Sequence, residues 1–426
     1  MGFQQGLSGL NISSKNLDVI GNNIANSSTV GFKASQAQFA DVFAASLSGA
    51  GGSPVGLGAK VQAVAQQFTQ GNITTTSNPL DVAINGGGFF IVSPPGTSTA
   101  FYSRNGQFSL DENDYIVTSE GYRVQGYPVD SSGTVLTGAA PQDMQVSKAK
   151  VSPQATGTSA LATGLTGSIN LDSRDEVISS TFDYTDTSTY NRSTAATIYD
   201  SLGNAHTYTM YFQKTAVNTW DVYTTVTNPS GAATTFEDLS GGGVTAQQTL
   251  TFDTTGALTS AAANQTITAA QLGYPAGVDN LVFSVNFAGT TQYGSGFSVN
   301  ALSQDGYAAG ELSKFTVGTD GVILGSYSNG VTRNLGGIAL ANFANPQGLQ
   351  PVGNNRWAST TDSGVPLVNQ PGSGNNGLLQ SAAVEDSNVD LTAELVSMIT
   401  AQRVYQANAQ TIKTQDQVLQ TLVNLR

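Results

Sequence analysis

The stretch LTAELVSMITAQRVYQANAQTIKTQDQVLQTLVNL (391–425) decides how this chain is organised. Leu391, Met398, Tyr405, Ile412 and Leu419 stand seven residues apart. Leu395, Gln402, Ala409, Asp416 and Val423 occupy the companion position, with Leu422 beside them. A sustained 3.5-residue period is the seam of a coiled-coil-like helix. No Pro follows Pro371 and no Gly follows Gly377, so nothing breaks such a helix. Asp386 or Ser387 can cap it, and Asp390 and Glu394 suit the positive end of its dipole.

The other end of the chain carries the same pattern. Phe3, Leu10, Leu17 and Ile24 are seven apart, Leu7 starts the companion row, and Ile12 and Ile20 widen the stripe. The spacing predicts a second amphipathic helix ending near Asn22–Asn23, before the Asn26-Ser27-Ser28 cluster. Two readings fit a helix at each end. The helices pair and offer leftover apolar faces to other subunits, or both lie on the body as ordinary surface helices. Polar Gln402 and Asp416 and small Ala409 in the seam suit packing among many neighbours better than a tight dimer.

Between the ends the chain is rich in Gly, Thr, Val, Tyr and Phe, with frequent turn signals, which predicts a mainly β body. FSLDENDYIV and FTVGTDGVIL read as β runs flanking Asn-Asp and Asp-Gly turns, and SYSNGVT adds an Asn-Gly turn. Charge follows the same division. The chain carries -13 overall, but residues 1–70 are +1 and 385–426 are -2, so the body carries a net of -12.

Composition removes most chemistry. With 426 residues, no Cys and one His, there is no disulfide framework, thiol nucleophile or multi-histidine metal site, and no cofactor motif. Sixteen Lys and Arg against 29 Asp and Glu argue against nucleic-acid binding. No run approaches the roughly 18 apolar residues that span a bilayer, so membrane insertion is not expected. MGFQQGLSGL (1–10) lacks the basic and apolar regions of a cleaved secretory signal. The one histidine, His206, sits in HTYTMYF and reads as a strand residue. Asp111-Glu112-Asn113-Asp114 lacks the Gly and distal Glu of an EF-hand and reads as a hairpin turn. Asp175-Glu176 and Glu237-Asp238 show no partner in sequence and read as solvated. An enzyme is not expected.

Four motifs in order then become specific: NNIANSSTVGFK (22–33), QGNITTTSNPLDVAINGGGFFIV (70–92), FYSRNGQFSLDENDYIVTSEGYRVQGY (101–127) and the C-terminal segment. Together they resemble the bacterial flagellar rod and hook axial protein family. The family signature falls on Asn22, Asn23, Ala25, Asn26, Gly31, Phe32 and Lys33. QDGYAAGELSKFTVGTDGVILGSYSNGVTRNLGGIALANFANPQGLQPVGNNRW (304–357) and a large insertion at about 147–295 resemble the hook branch rather than the distal rod. One departure is Asp114-Tyr115, where the family usually has a Gly-containing turn.

The resemblance implies nested layers. A helical assembly domain forms from 1–26 and 386–426, a linker from 27–70, and a middle β-domain from 71–146 with 296–371. An outer β-domain forms from 147–295, with a return linker at 372–385. It further implies a homopolymer: a curved hollow tube acting as a universal joint between motor and filament. The expected partners are the rod, the hook cap, the hook–filament junction proteins and the flagellar type III export apparatus, and the expected location is extracellular. The alternatives are a distal rod or hook-associated axial protein, or a secreted β-rich adhesin. The adhesin shares the high Thr, Gly and Asn content but leaves both heptad-spaced ends unexplained.

Overall fold

The computed structural model describes residues 2–42, 56, 58–130, 133–147, 150–158, 164–227, 233–235, 246–272 and 277–424. It is mostly β, with one helix at each end: α1 (Gly2–Ala25) and α2 (Leu391–Asn424). The chain forms two compact units. The first is Met1–Ser147, Phe315–Gly325 and Arg333–Arg426; the second is Lys148–Lys314 and Ser326–Thr332.

In the first unit, α2 begins where Asp390 Oδ1 accepts from the amides of Thr392 (2.9 Å) and Ala393 (3.1 Å). This satisfies two of the donors that a helix start leaves open. Asp390 is therefore the cap, and the expected candidates do other work. Asp386 accepts from the Thr74 hydroxyl at 3.3 Å, and Ser387 Oγ accepts from the Val389 amide at 3.3 Å. At the other end α1 runs past the expected stop at Asn22–Asn23 to Ala25. The Asn26 amide still bonds to the Asn22 carbonyl (3.1 Å), and the Asn26 side chain folds back onto Asn22, so the ladder continues for another few residues.

The stretch 27–70, expected as a linker, carries an antiparallel pair, β1 (Ser35–Val42) and β2 (Gly58–Gln66), with a bulge between Gln38 and Phe39. This pair packs on α1. Residues 43–55 and 57 lie outside the described residues. The stretch 372–385, expected as a return linker, supplies two strands. Leu378–Ser381 pairs with Val82–Asn85, and Ala383–Glu385 pairs with Ile73–Thr75.

The main sheet of this unit joins distant parts of the chain. Phe90 pairs with Ser103 and also with Leu340; Trp357 pairs with Tyr102; Tyr127 pairs with Gly337. Its core packs aromatic edges against faces: Phe68 stands 5.5 Å from Phe89 and from Trp357, and Tyr102 stands 4.7 Å from Phe343. The DENDY turn is a hairpin, with Ser109 opposite Val117. Asp111 Oδ1 accepts from the amides of Asn113 and Tyr115, both at 2.8 Å. Asp114 takes φ 62, so an aspartate adopts the left-handed conformation that a glycine ordinarily supplies.

The second unit closes two five-stranded sheets on one core. One sheet centres on Leu165–Asp172, the other on Ala205–Ala216 and Thr219–Thr227. Trp220, Tyr208 and Phe212 are fully buried between them with Leu165, Ile169 and Leu171. The unit reaches past the expected boundary at 295, because Ser298–Gln304 pairs with Leu165–Asp172 in register Asn170↔Ser298 to Leu165↔Gln304. His206 lies buried on its strand, with Nδ1 3.0 Å from the Thr227 carbonyl and Nε2 3.4 Å from Asp200. Asp175 is not solvated as expected. Arg192, seventeen residues on, forks onto it at 2.8 and 3.0 Å, a partner that local reading could not see. Glu237-Asp238 lies outside the described residues.

Candidate assembly interface

The two terminal helices pack against each other in antiparallel fashion. Gly6 faces Ile412, Gly9 faces Asn408, and Asn23 near the end of α1 donates to Glu394 near the start of α2 at 2.9 Å. The contact is built on small residues. A Cβ added at Gly6 would sit 3.0 Å from Ile412 Cγ1, and one at Gly9 would sit 2.8 Å from the Asn408 amide. Gly6, Ser13 and Ile20, themselves seven apart, are buried along α1. Ala401 is buried on α2, flanked by half-buried Met398, Asn408 and Ile412.

This seam is rotated from the one expected. Of the anticipated apolar positions, Ile20 is buried, and Leu10, Leu17, Ile24, Met398 and Ile412 are half-buried. Phe3, Leu7, Leu391, Leu395, Tyr405 and Leu419 are exposed. The side chains of Leu422 and Val423 lie outside the described residues. Gly6, Gly9, Ser13 and Ala401 carry no large apolar side chain, so heptad spacing of such residues does not mark them. The spacing of small residues was the signal, since small side chains let two helix backbones approach closely.

At the base of the helices the segment 22–33 forms a junction. Asn23 is buried and bonds three ways: its amide nitrogen donates to the Ser35 carbonyl (2.8 Å) and to Glu394 (2.9 Å), and its oxygen accepts from the Ser35 amide (2.9 Å). Asn22 and Ala25 stay exposed. Gly31 holds φ 71, and its amide donates to the Glu385 carbonyl at 2.8 Å. A Cβ there would lie 2.6 Å from the Asn105 backbone nitrogen, so the position excludes a side chain. Phe32 and Lys33 are buried.

Glu385 is the hub of that junction. Lys33 Nζ donates to it at 2.6 Å, the Gly71 amide at 2.9 Å, and Arg104 Nη1 lies 3.4 Å from its second oxygen. Lys33 also donates to the Thr69 carbonyl (2.7 Å), and Arg104 to the Gly86 carbonyl (3.0 Å). Burial pushes the Lys33 amine below its ordinary value, and the Glu385 carboxylate pulls it partly back. The same two effects act on Arg104. Asn388 completes the clamp: its oxygen accepts from the Ala34 amide at 2.7 Å, and its nitrogen donates to the Gln67 carbonyl at 2.7 Å. The junction thus gathers the segment leaving α1 (through Lys33), the Gly71 backbone and Arg104 on one buried carboxylate just ahead of α2.

Among the described residues, no group of three or more His, Asp or Glu is placed to hold a metal ion. No described helix is long and apolar enough to cross a membrane.

Four family models match the chain. Residues 3–33 match the flagella basal body rod protein family, and 83–171 match the flagellar hook protein FlgE/F/G D1 domain. Residues 170–307 match the flagellar basal body protein FlaE D2 domain, and 380–425 the C-terminal region of the flagellar basal body rod FlgEFG proteins. Along its whole length the chain is 46% identical to the flagellar hook protein FlgE of Salmonella typhimurium, covering 100% of both chains. It is 44% identical to that of Escherichia coli, again over 100% of both. It is 33% identical to that of Treponema pallidum, over 99% of this chain and 98% of the other. The crystal structure of the Helicobacter pylori flagellar hook protein FlgE2 shares the fold, with a TM-score of 0.53 at 15% identity over 73% of this chain and 100% of that one. The chain belongs to the flagellar hook protein family.

Proposed function

We propose that this structural subunit of the flagellar hook polymerises with copies of itself into a curved hollow tube that passes motor torque to the filament. The observation that carries the reading is the exposed apolar surface of the helix pair. Leu391, Leu395, Ile399, Phe3 and Leu7 are each 44–52% exposed, although they belong to the regular stripes of two amphipathic helices. Such faces are covered in a finished assembly. Contacts between different patches of one chain repeat from copy to copy and give a filament where the rotation does not close.

In this reading the terminal segments 1–26 and 386–426 form the assembly domain, and the β-domains face outward. Phe3, Leu7, Leu10, Leu17, Ile20 and Ile24 with Leu391, Leu395, Met398, Tyr405, Ile412 and Leu419 are the assembly residues. The nearly neutral ends favour close packing of many copies, and the acidic body favours a solvated exterior. The role is structural and needs no catalytic group. The rod, the cap, the hook–filament junction and the type III export apparatus are the partners of the tube and its subunits. Electron microscopy of the purified chain under sulfate, which strengthens apolar burial, tests this. Curved hollow tubes are expected; monodisperse single particles at every concentration would overturn it.

A further inference from the structure

The helix pair has two unlike sides. On one side lies the β1–β2 pair, and between it and the helices runs a groove of about 380 Å³ lined by Ile12, Asn16, Phe39, Val396, Thr400 and Val404 among others. The groove is open, and Phe39, Val396 and Val404 at its walls are exposed. The opposite side follows from helix geometry. At about 100° per residue, Phe3, Leu7 and Leu10 lie about a quarter turn from the α2-facing Gly6, Ser13 and Ile20. Leu391, Leu395 and Ile399 lie about a third of a turn from Ala401, Asn408 and Ile412. Ile12 on α1 and Thr400 and Val404 on α2 are rotated in the other sense. Because the helices are antiparallel, equal senses of rotation bring the two leucine-rich stripes to one side and the groove to the other.

We infer that the helix pairs of successive copies stack face to back, with the Leu391/Leu395/Ile399 stripe of one copy seated in the Phe39-walled groove of the next. This rests on the assembly reading and names its contact. The occupant is a second copy because a hook subunit is surrounded by its own kind, and because one chain presents both the apolar ridge and an uncharged hollow for it. Two unlike patches on one molecule give a head-to-tail contact that repeats from copy to copy, whereas stripe against stripe would close as a twofold dimer.

The chain has no Cys, so engineered thiols report cleanly. Leu395→Cys and Thr400→Cys variants are polymerised separately and as an equal mixture, then oxidised with diamide. The inference predicts disulfide-linked dimers from the mixture and none from either variant alone. Dimers of Leu395→Cys alone would overturn it in favour of face-to-face packing, and tubes from the mixture without any cross-link would also overturn it. As a second arm, Thr400→Trp fills the groove and should raise the concentration needed for tubes about tenfold. Unchanged assembly of that variant contradicts the inference. If the unmodified chain forms no tubes, the assembly reading falls and this inference falls with it.

Discussion

The second unit and the terminal helix pair solve the same problem differently. The second unit closes a large-residue core: Trp220, Tyr208 and Phe212 have no exposed surface, and the Trp220 indole still finds a partner in Gln292 at 3.1 Å. The helix pair buries glycine, serine and alanine at its contact and leaves its leucines half in solvent. The first is complete within one chain. The second leaves apolar stripes exposed, which other copies cover in the proposed assembly. The difference marks which part of the molecule is a closed body and which is a connector.

That contrast can be broken most sharply at the seam. Leu17→Asp or Ile412→Asp should abolish tube formation, because each places a charge in apolar surroundings. The second unit should keep its near-ultraviolet signal and melting transition unchanged. Tubes of normal appearance from either variant, seen by electron microscopy, would refute the seam.

The junction beneath the helices is the next lever. Glu385→Gln leaves Lys33 and Arg104 buried with their shared carboxylate removed, which should cost roughly 3–5 kcal/mol. Denaturant unfolding should show the loss in the first unit only. The mirror experiment is Trp220→Ala, which should cost roughly 3–5 kcal/mol in the second unit. Tubes should persist in that variant, provided the unit is still folded at the assay temperature.

The smallest effect concerns acid. Arg174 donates to Asp172 from Nε (2.9 Å), Nη2 (2.8 Å) and its amide (3.0 Å). The side-chain bonds lead in holding the Asp172 carboxyl down to about 2. Its folded value lies below its unfolded one, so its contribution is complete above the ordinary carboxylate range, about 3.9. It is lost as pH falls through about 2. An NMR titration of the Asp172 carboxyl should find its midpoint there, and a midpoint near 4 would remove this pair from the account.

Much of this organisation was legible in the chain itself. The two ends announced helices through seven-residue spacing, and the Asn-Asp, Asp-Gly and Asn-Gly pairs announced hairpins. Which face of each helix meets the other was not legible in the same way. The contact uses Gly6, Gly9 and Ala401, and hydrophobic periodicity weights such residues least. Asp390 stands in the chain as one acidic residue among several, and spacing alone does not separate it from Asp386 or Ser387 as the cap. Long-range partners were out of reach. Lys33 with Glu385, Asp175 with Arg192, and Leu165–Asp172 with Ser298–Gln304 are joined by folding, not by spacing.

The comparison is tested most directly by amide hydrogen exchange on monomer and polymer. The account predicts that 3–24 and 391–423 exchange quickly in the monomer and become protected in the tube. The strands around Tyr208 and Trp220 should be equally protected in both. Full protection of both helices in the monomer would contradict it, because the connector would then already be complete without its neighbours.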